Sequence, residues 1–93
     1  MSTTTAEERS RQTESPLADP EFRETLRELP PSAKLVAKVL EDGTPLPQGQ
    51  LAEESLLPDR TVRYALNRLE EADLIESRYS FHDARKQVYS LTR

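Results

Sequence analysis

Apolar residues in this chain fall into short stripes at helical spacing, divided by prolines and acids, and give way near the C-terminus to alternation. Phe22, Leu26 and Leu29 stand at i, i+4 and i+7 behind Asp19 and Pro20, an N-cap residue followed by a proline suited to the first helical position. Pro30 and Pro31 stop that segment, so the spacing predicts a short amphipathic helix over 20–30. Ser32 stands as the cap of a second helix, with Leu35, Val36, Val39 and Leu40 on one face and Asp42 and Gly43 at its end. Thr44 to Pro47 has room only for a brief strand with Leu46 inward. Helical spacing resumes from Gln48 to Ser55 through Leu51, Ala52 and Leu56, and Leu57 and Pro58 make a turn.

The next stretch, Pro58 to Ala72, has the clearest pattern. Val62, Leu66 and Leu69 recur at i, i+4 and i+7 with Ala65 beside them, which makes one buried stripe. Turning by about 100° per residue puts Arg60, Thr61, Arg63, Tyr64, Asn67 and Arg68 on or beside the opposite face. Arginine can bridge guanine O6 and N7, asparagine can bridge adenine N6 and N7, and threonine or tyrosine can reach a phosphate. The bland alternative is a solvated helix face that happens to carry arginines. Two short helices joined by a turn, the second bearing this basic face, form a helix-turn-helix. Asp73 then occupies the position where a helix end favours glycine. Ser77, Tyr79 and Phe81 alternate with Arg78 and Ser80, and Val88 to Leu91 reads as a second strand. Tyr79, Phe81 and Tyr89 are expected as sheet and core residues, and the strands form a wing with Arg85 and Lys86 at its tip. The predicted fold class is mainly α with a small β-hairpin wing, a winged helix-turn-helix with an extra N-terminal helix. Its divisions are a disordered tail over 1–19, the short helix over 20–30 and the winged-helix domain over 31–93.

Composition narrows the chemistry. Ninety-three residues, 34% of them hydrophobic, allow one small core. Without cysteine there is no disulfide scaffold and no thiolate site. No run approaches the 18 apolar residues of a membrane span, and no signal peptide opens the chain, so a cytoplasmic protein is expected. The net charge of −4 argues against a nucleic-acid partner if taken as an average. Its distribution is polarised: Arg60, Arg63 and Arg68 face only Asp59, and Arg78, Arg85, Lys86 and Arg93 face only Asp83. Ten arginines against three lysines, among many acids, suggest adaptation to high salt or a GC-rich genome. Counterion release weakens at high salt, and binding there leans on base contacts and shape.

Catalysis finds no motif: the chain has two glycines, no Gly-rich phosphate loop and no nucleophile with its base in a credible context. Glu53 and Glu54 are adjacent and splay on a helix. His82, the single histidine, reads as a loop residue, so neither a metal site nor a cofactor is expected.

Taken together, Leu51 and Ala52, Leu57, Thr61 with Val62, Leu66, Leu69 with Glu70, Leu74 with Ile75, and Tyr89, Leu91 and Thr92 resemble the DNA-binding core of the MarR-like winged-helix transcription regulators, especially small archaeal ones. The resemblance spans about residues 32–93. It implies that Arg60, Thr61, Arg63, Tyr64 and Arg68 enter or flank a major groove and that Arg85 leads the wing toward a minor groove. Asp83, two residues before Arg85, matches an aspartate that holds the wing arginine in that family. The chain departs from the pattern at Asp73, which replaces a glycine, and by lacking a long C-terminal helix and a ligand cleft. The expectation is a sequence-specific regulator on double-stranded DNA, with no membrane partner and no identifiable effector. A homodimer is expected to read two half-sites, and Phe22, Leu26 and Leu29 are expected to pack on the domain and to give part of the dimer contact. The rival expectation is a winged-helix adaptor that binds other proteins.

Overall fold

The computed structural model describes residues 16–83 and 85–92. Prolines set several of its boundaries. Helix α1, Pro20–Arg27, begins as expected: the Asp19 carboxylate accepts a hydrogen bond from the Glu21 N–H at 3.1 Å, and Pro20 holds the first position. Helix α2, Pro31–Val39, starts without a side-chain cap, because extended Pro30 holds the N-cap position and Pro31 supplies a preset helical φ. Ser32 therefore lies inside the first turn and is not the cap expected of it. A 3-10 turn, Leu40–Asp42, continues α2, and Gly43 ends it at φ 90°, a conformation that suits a residue without Cβ.

Strand β1, Leu46–Pro47, leads into helix α3, Gln48–Ser55, and helix α4, Asp59–Glu71; the hairpin β2, Ile75–Tyr79, and β3, Gln87–Leu91, completes a winged helix-turn-helix. The antiparallel sheet has the order β1-β3-β2, with Leu46 opposite Tyr89, Ile75 opposite Leu91 and Tyr79 opposite Gln87.

One core joins every helix to the sheet. Phe22, Leu26 and Leu29 pack with Ala33, Val36, Ala37 and Leu40, with Leu51, with Val62, Ala65, Leu66 and Leu69, and with Leu74, Ile75 and Leu91. Phe22, Leu26 and Leu29 thus pack on the domain, one half of what their spacing suggested, and leave almost no apolar surface for a second subunit. The buried face of α2 also differs from expectation: Ala33 and Ala37 join Val36 and Leu40, while Leu35 is exposed and Val39 half-buried. Small alanines let α2 lie close against α4, and that close approach, rather than the largest side chains, decides which face turns inward.

Within the stretch expected as tail, Pro16–Ala18 form one 3-10 turn in which the Asp19 N–H reaches the Pro16 carbonyl at 3.0 Å and Leu17 packs on the core. The rest of the predicted tail lies outside the described residues. In the wing, β2 stops at Tyr79; Tyr79 and Phe81 are exposed, so only Tyr89 of the three aromatics behaves as a sheet-core residue. Beyond Ser77 the next position on the core side of β2, Tyr79, is already exposed.

Candidate nucleic-acid interface

Helix α4 is held from both ends and along one side. At its start Pro58 is the N-cap, and the Gln48 amide of α3 donates to the Asp59 carbonyl at 3.3 Å. Along its side Val62, Ala65, Leu66 and Leu69 are buried. At its end Asp73 adopts φ 61°, the Leu74 N–H reaches the Leu69 carbonyl at 3.0 Å, and the Asp73 N–H reaches the Glu70 carbonyl at 2.9 Å. Those paired bonds are a Schellman closure, reinforced by burial of both Leu69 and Leu74. Asp73 thus makes the left-handed turn that glycine would make, and the chain enters the wing in the expected way.

With that stripe inward, Arg60, Tyr64, Asn67 and Glu71, spaced i, i+4, i+7 and i+11, form a line opposite it, and all four are exposed. Arg63 flanks the line on the side of the wing and is also exposed. Thr61 and Arg68 flank the other side and are half-buried. Arg68 is engaged: its Nη1 donates to the Tyr64 hydroxyl at 3.1 Å and its Nε lies 3.7 Å from Glu71 Oε1. Its guanidinium carbon is 5.9 Å from the Tyr64 ring centroid, near the limit for a cation–π contact, so the hydrogen bond to the hydroxyl dominates. With one lone pair of that hydroxyl taken by Arg68, its own proton remains available to another acceptor.

The wing is joined electrostatically to this helix. Tyr89 of β3 has its phenol pushed above the ordinary tyrosine value by burial first, with the Glu70 carboxylate and Tyr79 acting the same way and Arg63 opposing them. At the tip, Asp83 Oδ1 accepts the Arg85 N–H at 3.0 Å and lies 3.5 Å from Arg85 Nε. The expected aspartate–arginine pair is therefore present. The Ser80 N–H donates to the Lys86 carbonyl at 2.8 Å, the Lys86 N–H to the Asp83 carbonyl at 2.9 Å, and the His82 N–H to Ser80 Oγ at 3.1 Å. Arg78 lies opposite Val88, on the strand positions that alternate with Ser77 and Tyr79, so it and the Tyr89 side of the sheet face apart. The structure thus groups Arg60, Arg63, Tyr64 and Asn67 on α4, sets Arg85 and Lys86 at the wing tip, and puts Arg78 on the face of the hairpin turned from Tyr89.

The turn between α3 and α4 lies where the sequence placed it, but one of its side chains points the other way. Leu56, expected on the inner face, is 88% exposed at φ 62°, while Ser55 is buried in its stead. The helix ends at Ser55, and the left-handed residue after it swings outward. Among the described residues no group of three or more His, Cys, Asp or Glu side chains could hold a metal ion, and no helix is long and apolar enough to cross a membrane.

Residues 38–76 match the family model described as winged helix-turn-helix DNA-binding, a span from the end of α2 to the start of β2. Among solved structures, the chain is similar to the E41A mutant of ZitR from Lactococcus lactis at 26% identity, with a TM-score of 0.66 over 71% of this chain and 44% of that one. FabT from Streptococcus pneumoniae, in complex with DNA, matches at 24% identity and a TM-score of 0.63 over 71% of this chain and 46% of that one. A probable transcriptional regulator from Pseudomonas aeruginosa matches at 21% identity and a TM-score of 0.68, over 96% of this chain and 64% of that one. The chain spans less than half the length of the ZitR and FabT chains. A comparison with curated protein sequences gives no match.

Proposed function

We propose that this winged helix-turn-helix protein, similar in fold to the MarR-like regulators, is a sequence-specific transcription regulator that binds double-stranded DNA. Helix α4 lies in the major groove, and the wing reaches the adjacent minor groove. The observation that carries the reading is the exposed line of Arg60, Tyr64 and Asn67, with Arg63 beside it, fixed opposite a buried stripe. Base readout requires donors and acceptors held at one angle to the groove, and a core-locked helix provides that. The FabT structure of like fold, which holds DNA, supports it.

Arg60 and Arg63 are assigned to guanine edges, Asn67 to adenine, and Tyr64 and Thr61 to phosphates. Arg68 serves through Tyr64, and Arg78, Arg85 and Lys86 serve phosphates or the minor groove. A homodimer on two half-sites fits the few base contacts one module offers, but its contact lies elsewhere than Phe22, Leu26 and Leu29. A cytoplasmic regulator with this acidic composition also fits a high-salt interior, where base contacts gain weight over counterion release.

The test is selection of bound sequences from a random duplex DNA library at two salt concentrations, with the wild type and the Arg60→Ala, Arg63→Ala double variant. A short palindromic motif that disappears in the variant is expected. No enrichment at either salt overturns the reading and directs the search to a protein partner.

A further inference from the structure

Phe81 at the head of the wing loop is 102% exposed, and Tyr79, two residues before it, is 64% exposed. Single exposed apolar residues are ordinary on protein surfaces. These two stand in a particular setting. The loop that carries Phe81 is braced by the bonds from Ser80 to Lys86, from Lys86 and Arg85 to Asp83, and from His82 to Ser80. Arg85 and Lys86 lie across that loop, and Asp83, the one acid in it, is paired with Arg85. An exposed aromatic ring on a tip that also carries two cations is complementary to a partner that is anionic outside and apolar within.

Duplex DNA has that construction, with phosphates lining a groove whose floor is the edge of a base stack. The tip is carried by the hairpin that packs on α4, since Ile75 and Leu91 share one core with Leu66 and Leu69. We propose that Phe81 is a minor-groove wedge: it presses on one base step beside the half-site while Arg85 and Lys86 hold the flanking phosphates, and the duplex bends at that step. Proteins that insert apolar side chains into the minor groove unstack the step and kink the duplex. The deformation is easiest at pyrimidine–purine steps, so the wedge confers a preference at a position that no hydrogen bond reads.

This proposal rests on the DNA-binding reading, and one experiment separates the two. The random duplex library is selected with wild type, Phe81→Ala and Phe81→Leu. The most enriched duplex is then labelled at both ends for fluorescence energy transfer. Wild type is expected to give a core motif plus a TA or CA step at a fixed distance, and increased transfer on binding.

Phe81→Ala is expected to keep the core motif, lose the flanking step and the added transfer, and bind that duplex about tenfold more weakly, toward the lower end of what one aromatic–base contact supports. Phe81→Leu, which keeps an apolar wedge, retains the step and the bend. Because Phe81 packs on nothing, the urea midpoint of both variants stays at the wild-type value. An unchanged flanking step and unchanged transfer in Phe81→Ala overturn the wedge and leave the DNA reading intact. Absence of any core motif with wild type overturns both.

Discussion

Helix α4 presents its exposed residues from a buried stripe, whereas the wing presents its own from a loop tied by short polar bonds among neighbours. Val62, Ala65 and Leu69 are wholly buried, and the Schellman bonds extend that anchoring into Leu74 and the start of β2. Among the described residues nothing comparable lies under the tip, where the bonds run among Asp83, Ser80 and Lys86, all in the loop or at its base. The direction of Arg60 and Asn67 is therefore a property of the whole fold, and the direction of Phe81 and Arg85 is a local one. On the proposed DNA-binding reading, this arrangement lets the wing change what it meets without disturbing what the helix reads.

The strongest way to break that contrast is Leu69→Ala. Deleting a fully buried leucine side chain destabilises by about 2–5 kcal/mol, against a total for a domain of roughly 5–15 kcal/mol. Urea unfolding followed by circular dichroism should show a large drop in midpoint, with helix and wing lost in one transition. A variant within about 1 kcal/mol of wild type would mean that α4 is not anchored as argued.

The same contrast explains what could be read from the sequence. The stripe of α4 was legible because periodicity reports a helix and its buried face together, and Asp73 was legible because its place at the end of the stripe called for a left-handed residue. Alternation in the wing reports a strand but not whether anything lies opposite, so Phe81 was misplaced in the sheet core. Leu35 and Leu56 were misplaced because large apolar side chains outweighed Ala33, Ala37 and Ser55, which the packing prefers at those contacts. The engagement of Arg68 was available in the spacing, since Tyr64 lies four residues before it and Glu71 three after, both on neighbouring turns. The site residues on α4 were thus found as a face, but their division of labour needed the side-chain contacts.

That division gives the next prediction, of intermediate size. If Arg68 acts by orienting the Tyr64 hydroxyl, then Tyr64→Phe and Arg68→Ala each weaken binding to the selected duplex by about 1 kcal/mol, and the double variant hardly more than either. The coupling is measured by fluorescence anisotropy titrations of all four proteins. Additive losses would instead give Arg68 its own contact with DNA, as its position on the helix first suggested.

The smallest effect is expected at the turn between the two motif helices. Leu56 is held at φ 62° with its side chain 88% exposed, so it bears left-handed strain without compensating burial. The strain costs about 1–2 kcal/mol for a residue with a Cβ, and glycine removes it while losing part of the gain to the greater freedom of the unfolded chain. Leu56→Gly should therefore raise stability by about 0.5 kcal/mol, seen as a higher urea midpoint at unchanged slope. Destabilisation would show that the leucine side chain packs in a way its exposure does not reveal. The informative case is a stability gain paired with weaker binding on the selected duplex. It would make Leu56 a second exposed apolar contact with DNA, this one on the core-anchored side of the molecule, so that apolar contact would no longer be peculiar to the wing. A gain with unchanged binding leaves the turn as strain alone and keeps the contrast between helix and wing as drawn.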